Sequence, residues 1–103
     1  MKRIIDTSEV LGFLQKPDGP CEVCVSAEAG FDESAGRLVV KLDAFLRPTD
    51  LLVKERRFRE PWLPETETIS ETVEREECRE VAKEIFQRWA RKVRDAAPPM
   101  HAA

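Results

Sequence analysis

Two cysteines three positions apart, Cys21 and Cys24, are the residues of this chain whose spacing most directly suggests chemistry. A Cys-x-x-Cys pair binds zinc when it lies in a tight turn and two further ligands complete the tetrahedron. The same pair acts as a redox centre when it lies at a helix N-terminus, where the helix dipole lowers the thiol pKa. Either chemistry therefore depends on the local structure around the pair.

The neighbouring residues predict a β-strand at this position. Apolar and polar side chains alternate from Cys21 to Ala29, so Cys21 and Val23 share one face, and Cys24 lies on the other. Residues three apart in a strand point to opposite faces of the sheet. A strand would therefore prevent Cys21 and Cys24 from binding one ion together or forming a redox pair.

A zinc site would also need ligands from elsewhere in the chain. Cys78 recurs with the apolar residues of a helical stripe, and burial explains it as well as metal binding does. His101 follows two prolines near the C-terminus. We therefore expect neither a metal nor a cofactor. The weak candidates for metal ligands are Cys21, Cys24, Cys78 and His101.

The N-terminal segment predicts a short helix over residues 7–16. Asp6 and Glu9 have the spacing of a capping box, in which a helix-initiating side chain and a glutamate satisfy free backbone N–H groups. Residues 17–20, Pro-Asp-Gly-Pro, would end this helix in a turn.

Further along the chain, the pattern predicts two more strands and one long helix. Alternation is strongest over residues 37–47, and residues 51–58 form a third strand of less regular pattern. Thr68 and Glu71 form a second capping box, and apolar residues then recur at helical spacing from Ile69 to Asp95, roughly 40 Å of helix. The prediction is an α+β fold of order α-β-β-β-α, a three-stranded antiparallel meander with the long helix across one face.

Length and composition predict a small cytoplasmic protein. The chain has 103 residues, 36% of them charged, and a net charge of −3, which gives no overall attraction to nucleic acids or anionic membranes. We expect residues 1–97 to form a single domain and residues 98–103 a flexible tail. No signal peptide or transmembrane span is expected, and an odd count of three cysteines argues against a disulfide framework.

The residues that enzymes use are sparse in this chain. It has no tyrosine, one histidine, and no motif for binding a nucleotide or activating a nucleophile. The glutamates of residues 71–84 alternate with basic residues, as on a solvated helix face. We therefore expect no enzymatic activity and no small-molecule substrate.

Protein interaction is the function that the sequence favours. A sheet covered on one face leaves its other face open, and there Val39 and Phe45 would form an apolar centre among charged residues. Trp62, between two prolines, is a further anchor candidate. A helix of roughly 40 Å would also extend beyond the sheet and leave part of its apolar stripe free. The expected partner is another protein or a second copy of this chain.

Nucleic-acid binding is the alternative. The element order resembles that of double-stranded-RNA-binding domains, whose last helix begins with basic residues. Residues 65–77 are acidic where that family is basic, so the resemblance carries no function to this chain. The alternative would instead use a basic patch on the third strand and the end of the helix, comprising Lys54, Arg56, Arg57, Arg59, Arg88, Arg91 and Lys92.

Overall fold

Five antiparallel strands and one helix make up the structure of residues 1–102, which a computed structural model describes. In chain order the elements are β1 (Lys2–Lys16), β2 (Gly19–Asp32), β3 (Arg37–Pro48), β4 (Glu67–Thr72), a short 3₁₀ turn (Arg75–Glu77), α1 (Cys78–Ala96) and β5 (His101–Ala102). The strands lie in the order β4-β3-β2-β1-β5. The predicted α+β class is confirmed, but the predicted N-terminal helix and three-stranded sheet are wrong.

The central hairpin of β2 and β3 is where sequence alternation and structure agree best. Val23, Val25 and Leu38 are fully buried on the face that α1 covers. At the connecting turn, the Asp32 carboxylate accepts the backbone N–H of Ser34 at 3.1 Å. These features follow from local pattern and turn chemistry, which explains why they could be predicted.

The predicted helix over residues 7–16 is part of a 15-residue strand, β1, which pairs along its length with β2. A register shift just after Val10 inserts one extra residue, a β-bulge. Because of that extra residue, Leu11 and Leu14 both reach the core although they are three apart. Val10 and Phe13 lie opposite β2 residues of the other face. The bulge therefore gives the core residues of this strand a three-residue spacing that is also typical of a helix.

The predicted strand over residues 51–58 is also wrong, because most of this segment forms turns. Asp50 begins the first turn, and its carboxylate accepts the backbone N–H of Leu52 at 2.9 Å. Only Phe58 joins the sheet, through an isolated bridge to Leu46 with backbone hydrogen bonds of 2.8 and 3.0 Å. An aspartate that hydrogen-bonds the backbone two residues on favours a turn over a strand.

The long helix predicted over residues 69–95 is divided between β4 and the 19-residue α1, which is about 28 Å long. Ile69 and Val73 entered the helical pattern because they are four apart, a spacing that also fits the two-residue period of a strand. Thr68 and Glu71 lie in β4 and cap no helix. The β-branched residues of this segment favour the strand.

The helix α1 buries one stripe against the sheet, as its spacing predicted. The buried residues of this stripe are Cys78, Ala82, Ile85, Trp89, Ala90 and Val93. Since α1 is shorter than predicted and its stripe is covered, the expected surplus of apolar helix surface is absent from residues 78–96.

The C-terminal residues return to the sheet. His101 and Ala102 form β5, which pairs with Phe13 and Gly12 of β1. A Cβ atom on Gly12 would lie only 2.7 Å from the His101 carbonyl oxygen, so glycine is what lets the C-terminal segment approach. The division into a domain of residues 1–97 and a tail stays a prediction.

Candidate functional site

The four candidate metal ligands lie in different parts of the fold. Cys21 belongs to the core under α1, Cys24 is buried on the opposite face of the sheet, Cys78 begins α1, and His101 is exposed in β5. The predicted placement of Cys21 and Cys24 on opposite faces is confirmed. Among residues 1–102, no three His, Cys, Asp or Glu side chains come together as a metal site requires.

Burial determines the chemistry of the two strand thiols. It raises the pKa of both Cys21 and Cys24 above the ordinary thiol value, and for Cys21 the nearby Lys16 ammonium only partly offsets this effect. The thiolate is the nucleophile and the metal ligand, so a raised pKa leaves both groups protonated and unreactive at neutral pH. This environment fits structural cysteines.

The raised thiol pKa values predict that stability decreases in alkaline solution. An unfolded chain loses these protons near the ordinary thiol pKa of 9.0, whereas the folded chain retains them. The stabilisation is therefore complete below pH 9 and decreases above it, by at most about 1.4 kcal/mol per pH unit for each thiol. Urea unfolding between pH 8 and 10.5 measures this slope.

The Cys21→Ala/Cys24→Ala variant provides the control, because it lacks the two thiols and so releases no thiol protons when it unfolds. It should lose less stability per pH unit than the unmodified chain, although its stability at pH 8 is lower. Equal slopes for the two proteins would show that the thiols are not the titrating groups.

In the apolar centre expected on the face opposite α1, Phe45 is covered by the chain itself and Val39 is not fully buried. Phe45 is only 4% exposed, because the Arg57 guanidinium lies 4.1 Å from the centre of its ring. Val39 is half-buried on the same face. Trp62 packs against the core beside the buried Leu63. Of the three predicted partner-binding residues, Phe45 is thus covered by another side chain of this chain.

The seven basic residues of the nucleic-acid alternative are divided between two elements. Arg59 donates to the Ala44 carbonyl oxygen at 2.7 Å, so it is part of the fold. On α1, Lys92 forms an ion pair with Glu67 of β4. Arg57 covers Phe45. The four residues that remain, all at least partly exposed, are Lys54, Arg56, Arg88 and Arg91.

The most unusual surface feature is one that the sequence pattern did not predict. Leu51 and Leu52 are 82% and 92% exposed, and with Met1 they are the large apolar side chains that residues 1–102 leave in solvent. We call Leu51 and Leu52 the leucine tip. The signal that could have revealed it is Asp50, a turn-forming residue followed directly by an apolar run without alternation.

The leucine tip stands on a loop whose two ends are attached to the sheet. Before the tip, the backbone N–H of Thr49 donates to the Pro20 carbonyl oxygen at 3.2 Å. After it, Phe58 bridges to β3, Lys16 forms an ion pair with Glu60, and further on Leu63 is buried. The tip is therefore presented from a structured base.

A cleft of about 370 Å³ lies beside the base of the tip. It is enclosed by the β1–β2 turn on one side and by the loop on the other, and Cys21, Val53, Arg56 and Phe58 are among its lining residues. The volume is near the lower end of the range typical of small-molecule sites. Its lining thiol, Cys21, is protonated, so the cleft contains no activated nucleophile.

The comparisons with known proteins give no assignment. No protein-family model matches the chain, and no curated protein or solved structure matches it either. The function must therefore be argued from the geometry of the chain itself.

Two further properties bear on what the tip can contact. Among residues 1–102, no helix combines the length and the apolar character that a membrane crossing requires. The leucine tip is followed by Lys54, Arg56 and Arg57, with Glu55 among them. The arrangement offers an apolar anchor flanked by a modest excess of positive charge, which is suited to binding and contributes no catalytic group.

Proposed function

We propose that this chain is a non-enzymatic protein-interaction domain of the cytoplasm, and that the leucine tip is its docking element. The observation that carries the proposal is the exposure of two adjacent leucines, 82% and 92%, at a turn that is attached to the sheet on both sides. Contiguous apolar surface left in solvent often marks a site of protein–protein interaction.

The energetic argument concerns what the tip gains in a complex. Burying a leucine side chain contributes about 1.5–3 kcal/mol relative to leaving it in water. Two leucines would contribute about 3–6 kcal/mol, which at most offsets the lower end of the roughly 4–15 kcal/mol that association costs in lost translational and rotational freedom. The tip therefore anchors a complex only together with flanking contacts, and that complex is weak and reversible.

The charges around the tip define the partner. Lys54, Arg56 and Arg57 outnumber Asp50 and Glu55, so the loop is mildly basic although the whole chain is acidic. A complementary surface has an apolar pocket for the leucines and carboxylates around its rim. We therefore propose a protein partner of that chemistry.

The interior of the fold supports a binding role over a catalytic one. The buried side chains of residues 1–102 are all apolar or cysteine, and the three cysteines are free. A catalytic site would need convergent titratable groups in a protected cavity. Three reduced, buried thiols also fit the proposed location, because the cytoplasm keeps thiols reduced.

Affinity isolation from the native cytoplasm tests the proposal. The Leu51→Ser/Leu52→Ser variant should keep its stability within about 0.5 kcal/mol, because its changed side chains are exposed. It should also recover its main partner with at least a tenfold loss relative to the unmodified chain. Met1→Ser, which removes another exposed apolar side chain, is the matched control and should recover the partner normally.

Two results would contradict the proposal. Equal recovery by the unmodified chain and the tip variant would show that the leucines are not the docking element. Tip-dependent binding to vesicles of anionic lipid, with no protein recovered, would mean that the leucines insert into a membrane surface.

Nucleic-acid binding is the weaker proposal, because three of its seven residues, Arg57, Arg59 and Lys92, already have partners within the chain. A labelled single-stranded 20-mer titrated at 50 and 200 mM salt discriminates the two proposals. Phosphate-driven binding weakens steeply with salt and is lost in Arg56→Glu/Arg57→Glu. If the chain acts only through the leucine tip and a protein partner, the 20-mer does not bind at either salt concentration.

A further inference from the structure

The outer edge of β1 is mostly unoccupied. In this sheet order β1 has β2 on one side, and on the other side only β5, which pairs with Gly12 and Phe13. Over residues 2–11, the structure of residues 1–102 places no strand against this edge. Backbone N–H and C=O groups along such an edge are a template for pairing with another strand.

The opposite edge of the sheet is protected in a way that β1 is not. The edge strand β4 is only six residues long, and two carboxylates, Glu67 and Glu71, lie opposite core residues of β3 on the side that α1 covers. Short length and inward-placed charges are devices that discourage edge-to-edge pairing. On β1, register shifts at Ile4 and after Val10 leave residues 5–10 as the regular part of the unpaired edge. The structure therefore offers one open edge and one short, guarded edge.

The free part of β1 has residues suited to strand pairing. It has no proline, and it is rich in β-branched side chains, with Ile4, Ile5 and Thr7 close together. Of its two carboxylates, Asp6 and Glu9, the first is compensated by Arg3 at 3.2 Å. This composition reduces the electrostatic penalty of a second strand at the edge.

We propose that β1 pairs antiparallel with β1 of a second copy of this chain, across a two-fold axis perpendicular to the sheet. Two five-stranded sheets would then become continuous, with both helices on the same side. The contact is isologous, because each copy presents the same edge to the other. Self-pairing of an exposed edge is a common mode of strand recognition.

Charge and geometry select one register for this pair. The two-fold axis places residues of the same face opposite each other, so the centre must fall on a residue and not between two. A centre at Asp6 or Glu9 would place identical carboxylates directly opposite. A centre at Ile5 or Val10 would carry the pairing across a register shift of β1. A centre at Ser8 would place Asp6 opposite Val10, whereas a centre at Thr7 places Asp6 opposite the Ser8 hydroxyl, so we place the centre at Thr7.

With Thr7 at the axis, Asp6 lies opposite Ser8 of the second copy, and Ile5 lies opposite Glu9. Asp6 and Ser8 pair with β2 residues of the face opposite α1, whereas Ile5 and Thr7 pair with core alanines of β2. In each of these pairs, both side chains therefore lie on the same face of the sheet. The pairing would cover residues 5–9, because register shifts at Ile4 and after Val10 interrupt the regular strand on either side, and it would leave β5 in place.

The size of the contact predicts a dimer that depends on concentration. An edge of about five residues buries less surface than a standard-size interface, so the dissociation constant should lie in the micromolar range or above. Sedimentation velocity or native mass spectrometry from 1 to 200 µM should show the monomer converting to a dimer. Hydrogen exchange within residues 5–9 should slow over the same range.

Two substitutions at one position test the register by the sign of their effects. Ser8→Lys would place an ammonium group opposite the Asp6 carboxylate of the other copy, and the two-fold axis gives two such contacts in each dimer, so the dissociation constant should fall. Ser8→Asp would place two carboxylates opposite each other in the same contacts, so the dissociation constant should rise. Each change should be about 2- to 30-fold. Thr68→Lys and Thr68→Asp are matched controls, which make the same charge changes on the exposed β4. They should leave dimerisation unchanged, and melting temperatures verify that all four variants fold.

Oligomeric state across these variants decides whether the edge contact exists. A chain that stays monomeric at 200 µM overturns it. A dimer that responds equally to the Ser8 and Thr68 variants reflects net charge and also overturns it. If the Leu51→Ser/Leu52→Ser variant no longer dimerises, the dimer forms through the leucine tip, which contradicts the edge contact. If that variant still dimerises, and Ser8→Lys and Ser8→Asp change the dissociation constant in opposite directions, the edge contact is supported.

Discussion

Replacing Trp89 with alanine is expected to lower the free energy of unfolding by about 3–5 kcal/mol, the largest effect that we expect from one residue. Trp89 is 3% exposed in the buried stripe of α1. Its indole Nε1–H also donates to the Asp43 carbonyl oxygen of β3 at 2.9 Å. The substitution therefore removes a large packed ring and a hydrogen bond together.

The hydrogen bond matters because it satisfies a carbonyl group of β3 where the pairing of β3 with its neighbour is interrupted. Pairing of β3 with β4 ends at Leu42, and the next partner on that edge is Phe58, opposite Leu46. Between these points the carbonyl oxygens of Asp43 and Ala44 accept from the side chains of Trp89 and Arg59 instead. A buried carbonyl group left without a donor costs about 1–3 kcal/mol.

Trp89→Phe separates packing from hydrogen bonding. It keeps an aromatic ring and removes the donor, so we expect a loss of about 1–3 kcal/mol. Chemical unfolding followed by far-ultraviolet circular dichroism measures both variants without relying on tryptophan fluorescence. Gln87→Ala, on the exposed face of the same helix, should change stability by less than about 0.5 kcal/mol. If Trp89→Phe matched the unmodified chain, the indole hydrogen bond would contribute nothing.

Removing the Glu22 carboxylate is expected to lower the free energy of unfolding by about 1–3 kcal/mol. One oxygen of Glu22 accepts from Arg47 Nε at 2.9 Å and from Nη2 at 2.6 Å, and the Arg47 and Glu22 side chains are 28% and 13% exposed. These hydrogen bonds raise the pKa of Arg47 further, so the guanidinium stays charged. Breaking a fully buried pair costs about 3–5 kcal/mol, and partial exposure of Arg47 reduces that figure.

A double-mutant cycle measures this interaction. We expect Glu22→Met and Arg47→Met each to destabilise the chain, and the double variant to lose less than the sum, because neither charge is then left alone. The exposed pair of Arg3 and Asp6, at 62% and 64%, is the control, and Asp6→Asn should cost less than about 0.5 kcal/mol. A coupling energy near zero for Glu22 and Arg47 would mean that water compensates each charge separately.

The parts of the fold that could be predicted are those that local pattern determines. Every second residue from Leu38 to Leu46 is apolar and buried in the core, and the alternation from Cys21 correctly places Cys21 and Cys24 on opposite faces. In each case the side chains of a single strand carry the information. The buried stripe of α1 was predictable for the same reason, because its residues repeat with the period of one helix.

The wrong predictions have a common physical origin in patterns that fit two structures equally well. The bulge after Val10 gives a strand the spacing of a helix, and the four-residue step from Ile69 to Val73 suits either period. Which period applies is decided by a partner strand that is distant in the sequence. For β1 that partner is β2, and for β4 it is β3.

By itself, the sequence determined the α+β class, the central strands, the buried face of α1 and the separation of the two strand cysteines. Only the tertiary structure decided that the N-terminal segment is a strand with an open edge, that Arg57 covers Phe45, and that Leu51 and Leu52 stay in solvent. The reason is that periodicity records which side of an element is apolar. Whether that side, or an edge, is covered depends on contacts between residues far apart in the chain.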